Sequence, residues 1–137
     1  SRGLGDVYKR QVAARLQRAA ILMRNATSQT VTEKEAKSQI NLAIADLRVA
    51  KEKSPQNSYI YYNLGCIYLN QKTYNPALEA FNKAIEYDSR LPEAYYNRGL
   101  IYLHQNDKNK AFADFSKAGQ LGLYKAYALM KKIGHKQ

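Results

Sequence analysis

Apolar positions recur along this chain at intervals of three and four, the spacing that gathers them on one face of an α-helix. Between residues 32 and 53 the series Ile40, Ala43, Ile44, Leu47 and Ala50 makes such a stripe. Ahead of it, Thr32-Glu33-Lys34-Glu35 has the form of a capping box, in which the threonine hydroxyl and the glutamate carboxylate each take up a free backbone N–H. The helix it opens is predicted to run to about Lys53, roughly 31 Å at 1.5 Å per residue. Upstream, Leu16, Ala20 and Met23 predict a helix over residues 12–24, joined to the next by the polar stretch 25–31. We read these two helices as an irregular first hairpin with an insertion. At the far end, residues 123–133 predict a last helix with Tyr124, Tyr127, Ala128 and Met130 on its apolar side. Lys131, Lys132 and Lys136 suit a polar outer face there, near the negative end of the helix dipole.

The central stretch repeats itself. Residues 58–91 set against 92–125, a shift of 34, share thirteen identical positions. Among them are Tyr61/Tyr95, Asn63/Asn97, Gly65/Gly99, Tyr68/Tyr102, Ala77/Ala111, Phe81/Phe115 and Ala84/Ala118. Glycine inside a helix costs about 1 kcal/mol relative to alanine. Gly65 and Gly99, each among apolar residues, therefore predict a close backbone approach, with Ala77 and Ala111 as the small partners on the facing helix. Tyr61, Tyr68 and Phe81 fill the wider gaps between layers. Asn75 is expected to cap the second helix of its repeat with Pro76 at the first helical position, and Asn109 to cap the equivalent helix. Pro55 and Pro92 punctuate the turns between repeats, and Gly119 with Gly122 should stop the last repeat helix.

Tyr61-x-x-Leu64-Gly65-x-x-Tyr68 followed by Ala77-x-x-x-Phe81 resembles the tetratricopeptide repeat, with tyrosine in place of that family's leading tryptophan. The second copy reads Tyr95-x-x-Arg98-Gly99-x-x-Tyr102 and Ala111-x-x-x-Phe115, with Arg98 where leucine is usual. Half of an earlier copy is found in Ala43, Leu47, Ala50 and Pro55; its first helix is missing at the normal distance. The resemblance covers residues 41 to about 125 and implies an all-α fold, a right-handed α-solenoid of antiparallel helical hairpins with about seven helices. Residues 12–137 then form a single domain: an irregular hairpin (12–57), two repeats (58–91 and 92–125) and a C-terminal capping helix (123–137).

Composition narrows the function. The 137 residues are 45% hydrophobic and 24% charged, an ordinary globular balance. No apolar run is long enough to span a membrane. The lone cysteine, Cys66, excludes an internal disulfide and any multi-cysteine metal site, and reads as a small buried hydrophobe. His104 and His135 lie far apart, neither with metal-ligand spacing to another ligand type. The glycines form no phosphate-cradling loop. We therefore expect neither enzymatic activity nor a cofactor. The net charge of +11 is uneven: residues 1–57 carry 11 basic and 5 acidic groups, 58–91 three of each, and 92–137 eight against three. A nucleic-acid stripe would cross the middle as well.

Residues 1–11 are set apart. Asp6-Val7-Tyr8-Lys9-Arg10-Gln11 resembles a translation of the transposon end used in sequencing-library preparation (GAT GTG TAT AAG AGA CAG). We read the stretch as adapter-derived or linker, preceding the C-terminal part of a longer bacterial protein whose compartment, cytoplasm or periplasm, the sequence leaves open.

The resemblance implies a non-enzymatic binding module whose concave groove, lined by the first helix of each repeat, takes an extended or helical peptide. The residues expected to face it are Tyr59, Tyr62, Asn63, Cys66 and Leu69, then Tyr96, Asn97, Leu100, Leu103 and His104. Asn63 and Asn97 each offer donors and an acceptor for a peptide backbone. Resemblance to chaperone-binding members suggests the same role. Tyr62 and Cys66, however, stand where those members place a lysine and an asparagine, which argues against a carboxylate clamp. The partner is an unspecified protein or peptide. The competing readings are nucleic-acid binding through the basic ends and self-association through an exposed N-terminal repeat face.

Overall fold

In the computed structural model, which describes residues 2–28 and 30–134, seven helices succeed one another. They are α1 (Arg2–Ala26), α2 (Glu33–Lys53), α3 (Ser58–Asn70), α4 (Tyr74–Tyr87), α5 (Pro92–His104), α6 (Lys108–Gln120) and α7 (Ala126–Gly134). No strand occurs among the described residues. His135 and Lys136 lie outside them. Each odd helix packs on the even one after it up to α5–α6, giving three hairpins, and α7 closes on α6.

The capping box forms as the sequence predicts. The Thr32 hydroxyl accepts from the Glu35 N–H at 3.2 Å, the Glu35 carboxylate accepts from the Thr32 N–H at 3.0 Å, and α2 then runs to Lys53. The other two second helices start differently from the expectation. Thr73, not Asn75, precedes α4, and its hydroxyl donates to the Tyr68 carbonyl at 3.0 Å instead of capping. Pro76 falls at the third helical position, where an N–H lacks an intrahelical partner anyway. Asp107, not Asn109, caps α6 by accepting from the Lys110 N–H at 3.2 Å. The turns nevertheless match across the repeat: Lys72 (φ 59°) and Asn106 (φ 61°) both take the left-handed conformation.

Between paired helices the close approach centres on a ring. A methyl group at Gly65 would stand 2.6 Å from the buried Phe81 ring, and one at Gly99 would stand 2.7 Å from that of Phe115. The glycines thus receive phenylalanine rings, and Ala77 and Ala111, the small residues expected on the facing helix, are fully buried. Tyr61 and Tyr95 use their hydroxyls on the preceding turn, donating to the carbonyls of Pro55 and Ser89 respectively.

Two buried aspartates, two repeat lengths apart, tie first helices to second. Asp46 of α2 has no exposed surface and accepts from Arg15 and Arg18 of α1. Asp114 of α6 accepts both prongs of Arg98 at 2.7 and 2.8 Å, while Arg98 also donates to Asn82. In the intervening repeat these places are held by Leu64 and Ala80. Arg98 is therefore half of a paired exchange.

The ends depart most from the sequence reading. α1 begins at Arg2 rather than at residue 12, continuing through an exposed stretch that Lys53 touches, donating to Gln11 at 2.8 Å and lying 5.2 Å over the Tyr8 ring. Its packed stripe is Val12, Leu16, Ala19 and Met23; Ala20 is exposed, being one residue, about 100°, past Ala19. α7 begins at Ala126, three residues later than expected. A turn closed by Leu123 N–H on the Ala118 carbonyl precedes it. That delay reorients the helix: Ala126, Leu129, Met130 and Ile133 pack, whereas Tyr124, Tyr127 and Ala128 are exposed. Gly119 lies inside α6, where the Tyr127 ring leaves no room for a side chain, and Gly122 (φ 106°) makes the turn.

These contacts carry two expectations for stability. Gly65→Ala gains about 1 kcal/mol of helix propensity but overpacks Phe81 by about 1–3 kcal/mol. A net loss is expected in a denaturant melt, whereas Gly5→Ala, with nothing within 4 Å, should be neutral or stabilising. For Asp46, burial pushes the carboxyl up, but the bonds and charges of Arg18 and Arg15 outweigh it and hold the group below the ordinary range. A depressed carboxyl contributes stability that is present above the unfolded value, about 3.9, and lost as pH falls through the folded one. The wild type should lose melting temperature steeply below about pH 4. Asp46→Asn should be less stable at neutral pH by about 1–3 kcal/mol and show a shallower acid loss.

Candidate functional site

α1, α3 and α5 lie side by side, forming the layer from which the candidate groove residues project. Tyr62 and Tyr96 occupy equivalent places, tilted against Phe81 and Phe115 at centroid distances of 6.0 and 5.7 Å. Both are half-buried, so each phenol leans on the ring that fills the glycine gap behind it.

The two asparagines, equivalent in sequence, differ in surroundings. Asn97 Nδ2 reaches across the repeat boundary to Tyr62 Oη at 3.4 Å and Cys66 Sγ at 3.8 Å. These are long contacts, but they occupy the amide. Asn63 instead lies over α1, beside Ala19, Ala20 and Met23 with Cys66 and Ile67, around a recess of about 180 Å³. None of the α1 side chains there carries a hydrogen-bonding N or O, and no hydrogen bond of the Asn63 amide is found among the described residues. Where Tyr62 supplies a ring and a hydroxyl beneath Asn97, α1 supplies short apolar groups beneath Asn63 and leaves a hole.

Burial pushes the Tyr62 phenol well up and raises the Cys66 thiol. Both are neutral near neutral pH, and a protonated thiol is a poor nucleophile and metal ligand. No group of three or more His, Cys, Asp or Glu positioned for a metal is found among the described residues.

The remaining candidates spread along the layer. Leu69 packs half-buried on the first core cluster, and Leu100 and Leu103 on the second. Tyr96 has the Lys125 ammonium 4.6 Å from its centroid. Tyr59, 53% exposed, borders a separate groove of about 400 Å³ with Tyr8, Lys53 and Asn57. His104 ends α5 and stacks on Tyr74 at 4.3 Å, at the turn and apart from the asparagines. Sequence reasoning placed Ala20 and Met23 in the core and so missed that they line the recess under Asn63. The available signal was the loop 27–32, longer than the three-residue turns that join the later pairs.

Comparison with known proteins bears on the repeats and the fold. A family model described as TPR repeat matches residues 67–106, and one described as tetratricopeptide repeat matches 92–122. No curated protein matches the chain significantly. Among solved structures, the first TPR of Spaghetti (RPAP3), bound to the HSP90 peptide SRMEEVD, is 19% identical with a TM-score of 0.66, covering 88% of this chain and 93% of that one. The Arabidopsis OM64 TPR domain is 19% identical with a TM-score of 0.66, covering 90% and 99%. A thermophilic TPR protein of Thermus thermophilus is 17% identical with a TM-score of 0.67, covering 84% and 58%. The fold is thus the right-handed solenoid of antiparallel hairpins, of a kind that is typically non-enzymatic and serves protein–protein interaction. The matched repeats, the glycine–phenylalanine pairs and the hairpin stacking together identify tetratricopeptide repeats in this chain, over residues 67–122.

Proposed function

We propose that the layer of α1, α3 and α5 holds an extended stretch of a partner polypeptide, as a non-catalytic scaffold or assembly module. The observation that carries this reading is Asn63: an amide without a partner among the described residues, poised over an apolar recess. An extended peptide supplies what both lack, a backbone N–H and C=O for the amide and a side chain for the recess. The exposed Tyr59 and half-buried Tyr62 and Tyr96 add large, rigid contact area at small entropic cost. RPAP3, of the same fold, was solved with a peptide bound. Tyr62 and Cys66, both kept neutral by burial, offer no charge to a chain end, so we assign an internal stretch of the partner rather than its C-terminal carboxylate.

The high net charge favours nucleic acid less than it suggests. Arg15, Arg18 and Arg98 are paired with Asp46 and Asp114, and the repeat 58–91 is neutral. A backbone-tracking groove needs basic groups along its length.

Peptides selected from a random display library on the immobilised chain provide the probe. Asn63→Ala should weaken them roughly two- to tenfold, the worth of one hydrogen bond, with melting unchanged. Asn97→Ala should lower the melting temperature, because its amide bridges repeats; unchanged melting with equal loss of binding would give both asparagines the same role. RNA binding, measured by anisotropy, should be weak and collapse as salt rises. Tight binding to a defined RNA that survives raised salt would overturn the peptide reading.

A further inference from the structure

A second recess lies between α6 and α7. The Tyr127 ring sits on Gly119 near the end of α6, while Phe112 near its start lines a groove with Gly134 at the far end of α7, so the two helices run antiparallel. Between them is an open groove of about 630 Å³ lined by Phe112, Tyr127, Met130, Lys131 and Gly134. Phe112 is 41% exposed and Tyr127 40%. Leu78, the counterpart of Phe112 one repeat earlier, is half-buried against the core. None of the groove's lining belongs to the layer assigned to peptide holding.

The charge around it has one sign. Of the three acidic residues in 92–137, Asp114 is taken by Arg98 and Asp107 lies 3.7 Å from Lys110. Lys108 and Lys131 have no carboxylate within ion-pair distance among the described residues. Lys131 lines the groove. Lys108 stands four residues before Phe112, on the same face of α6. An apolar recess with one such cation in its lining and another a helical turn from Phe112 is the complement of an apolar ridge flanked by carboxylates.

We propose that this groove is a docking site for an acidic amphipathic helix of a partner protein, which sets its apolar side chains between Phe112 and Met130 and its carboxylates over Lys108 and Lys131. A second copy of this chain is a poor occupant, since it carries +11 and brings like charge to the groove. A flat anionic bilayer reaches the rim but not the recess, and the rings here are more than half covered.

The test uses an about 18-residue peptide, five helical turns, with leucines at helical spacing and glutamates elsewhere, and a control with lysine for every glutamate. Both are titrated into the isotopically labelled full chain and read by amide shifts and anisotropy. The acidic peptide should shift α6 and α7 resonances, weaken as salt rises from about 0.05 to about 0.5 M, and lose about tenfold or more in affinity in Phe112→Ser and in Lys131→Glu. Lys131 is exposed, so its variant keeps the test sound if Phe112→Ser melts. Equal binding of the lysine peptide, or shifts confined to α1, α3 and α5, would overturn the proposal. So would Phe112-dependent dimerisation in ultracentrifugation, or Phe112-dependent binding to phosphatidylserine vesicles without peptide binding.

Discussion

The volume left by a missing side chain governs this molecule. At Gly65 and again at Gly99 a phenylalanine ring from the facing helix stands where a Cβ would be, so the paired helices approach closely at the same level in both repeats. Tyr62 and Tyr96 tilt against the backs of those rings, and Tyr61 and Tyr95 reach over to hydrogen-bond the turn before each repeat. One contact therefore fixes the hairpin, and its neighbours fix how the hairpin enters the next turn. Because interiors pack at near-crystalline density, repeating that contact repeats the geometry. The inner layer of α1, α3 and α5 is its result.

Polar groups complete the clamp where size alone does not. The outer hairpins each bury an aspartate of the second helix under arginine of the first, whereas the middle one meets through Leu64 and Ala80. Burying a carboxylate is costly unless it is paired and hydrogen-bonded, and both are. A consequence reaches function: cations that the bare sequence offers to phosphate are committed to the scaffold, and the remaining lysines gather toward the ends. The net charge overstates the free positive surface.

Much of the fold was legible because its signals are local or periodic. The capping box and the stripe Ile40–Ala50 gave α2 with the bounds observed, and the 34-residue repeat gave α3 to α6. The misses are nonlocal. Which face of α1 packs depends on where α2 lies, and Ala19 rather than Ala20 is buried for that reason. The last helix was misread because three residues of turn, 123–125, shifted its register and exposed Tyr124 and Tyr127. Asn75 and Asn109 looked like caps by residue type, but Thr73 and Asp107 stand two residues earlier, where the chain enters the helix. The site shows the same limit. Asn63 and Asn97 are identical in the repeat alignment, yet the groups beneath each come from the first helix of the preceding hairpin, and α1 is not a faithful repeat. Asp46 gave one overlooked signal, standing in register with Asp114.

Whether the inner helix layer, rather than the outer one, receives the partner decides how these contacts bear on function. Photo-crosslinking tests it most directly, with a photoreactive residue placed in turn at positions 59 and 69 of α3 and at the exposed position 79 of α4. A peptide that binds the chain should be captured from 59 and 69 and not from 79. Capture from 79 alone would contradict the inner-layer assignment and move the binding surface to the second helices.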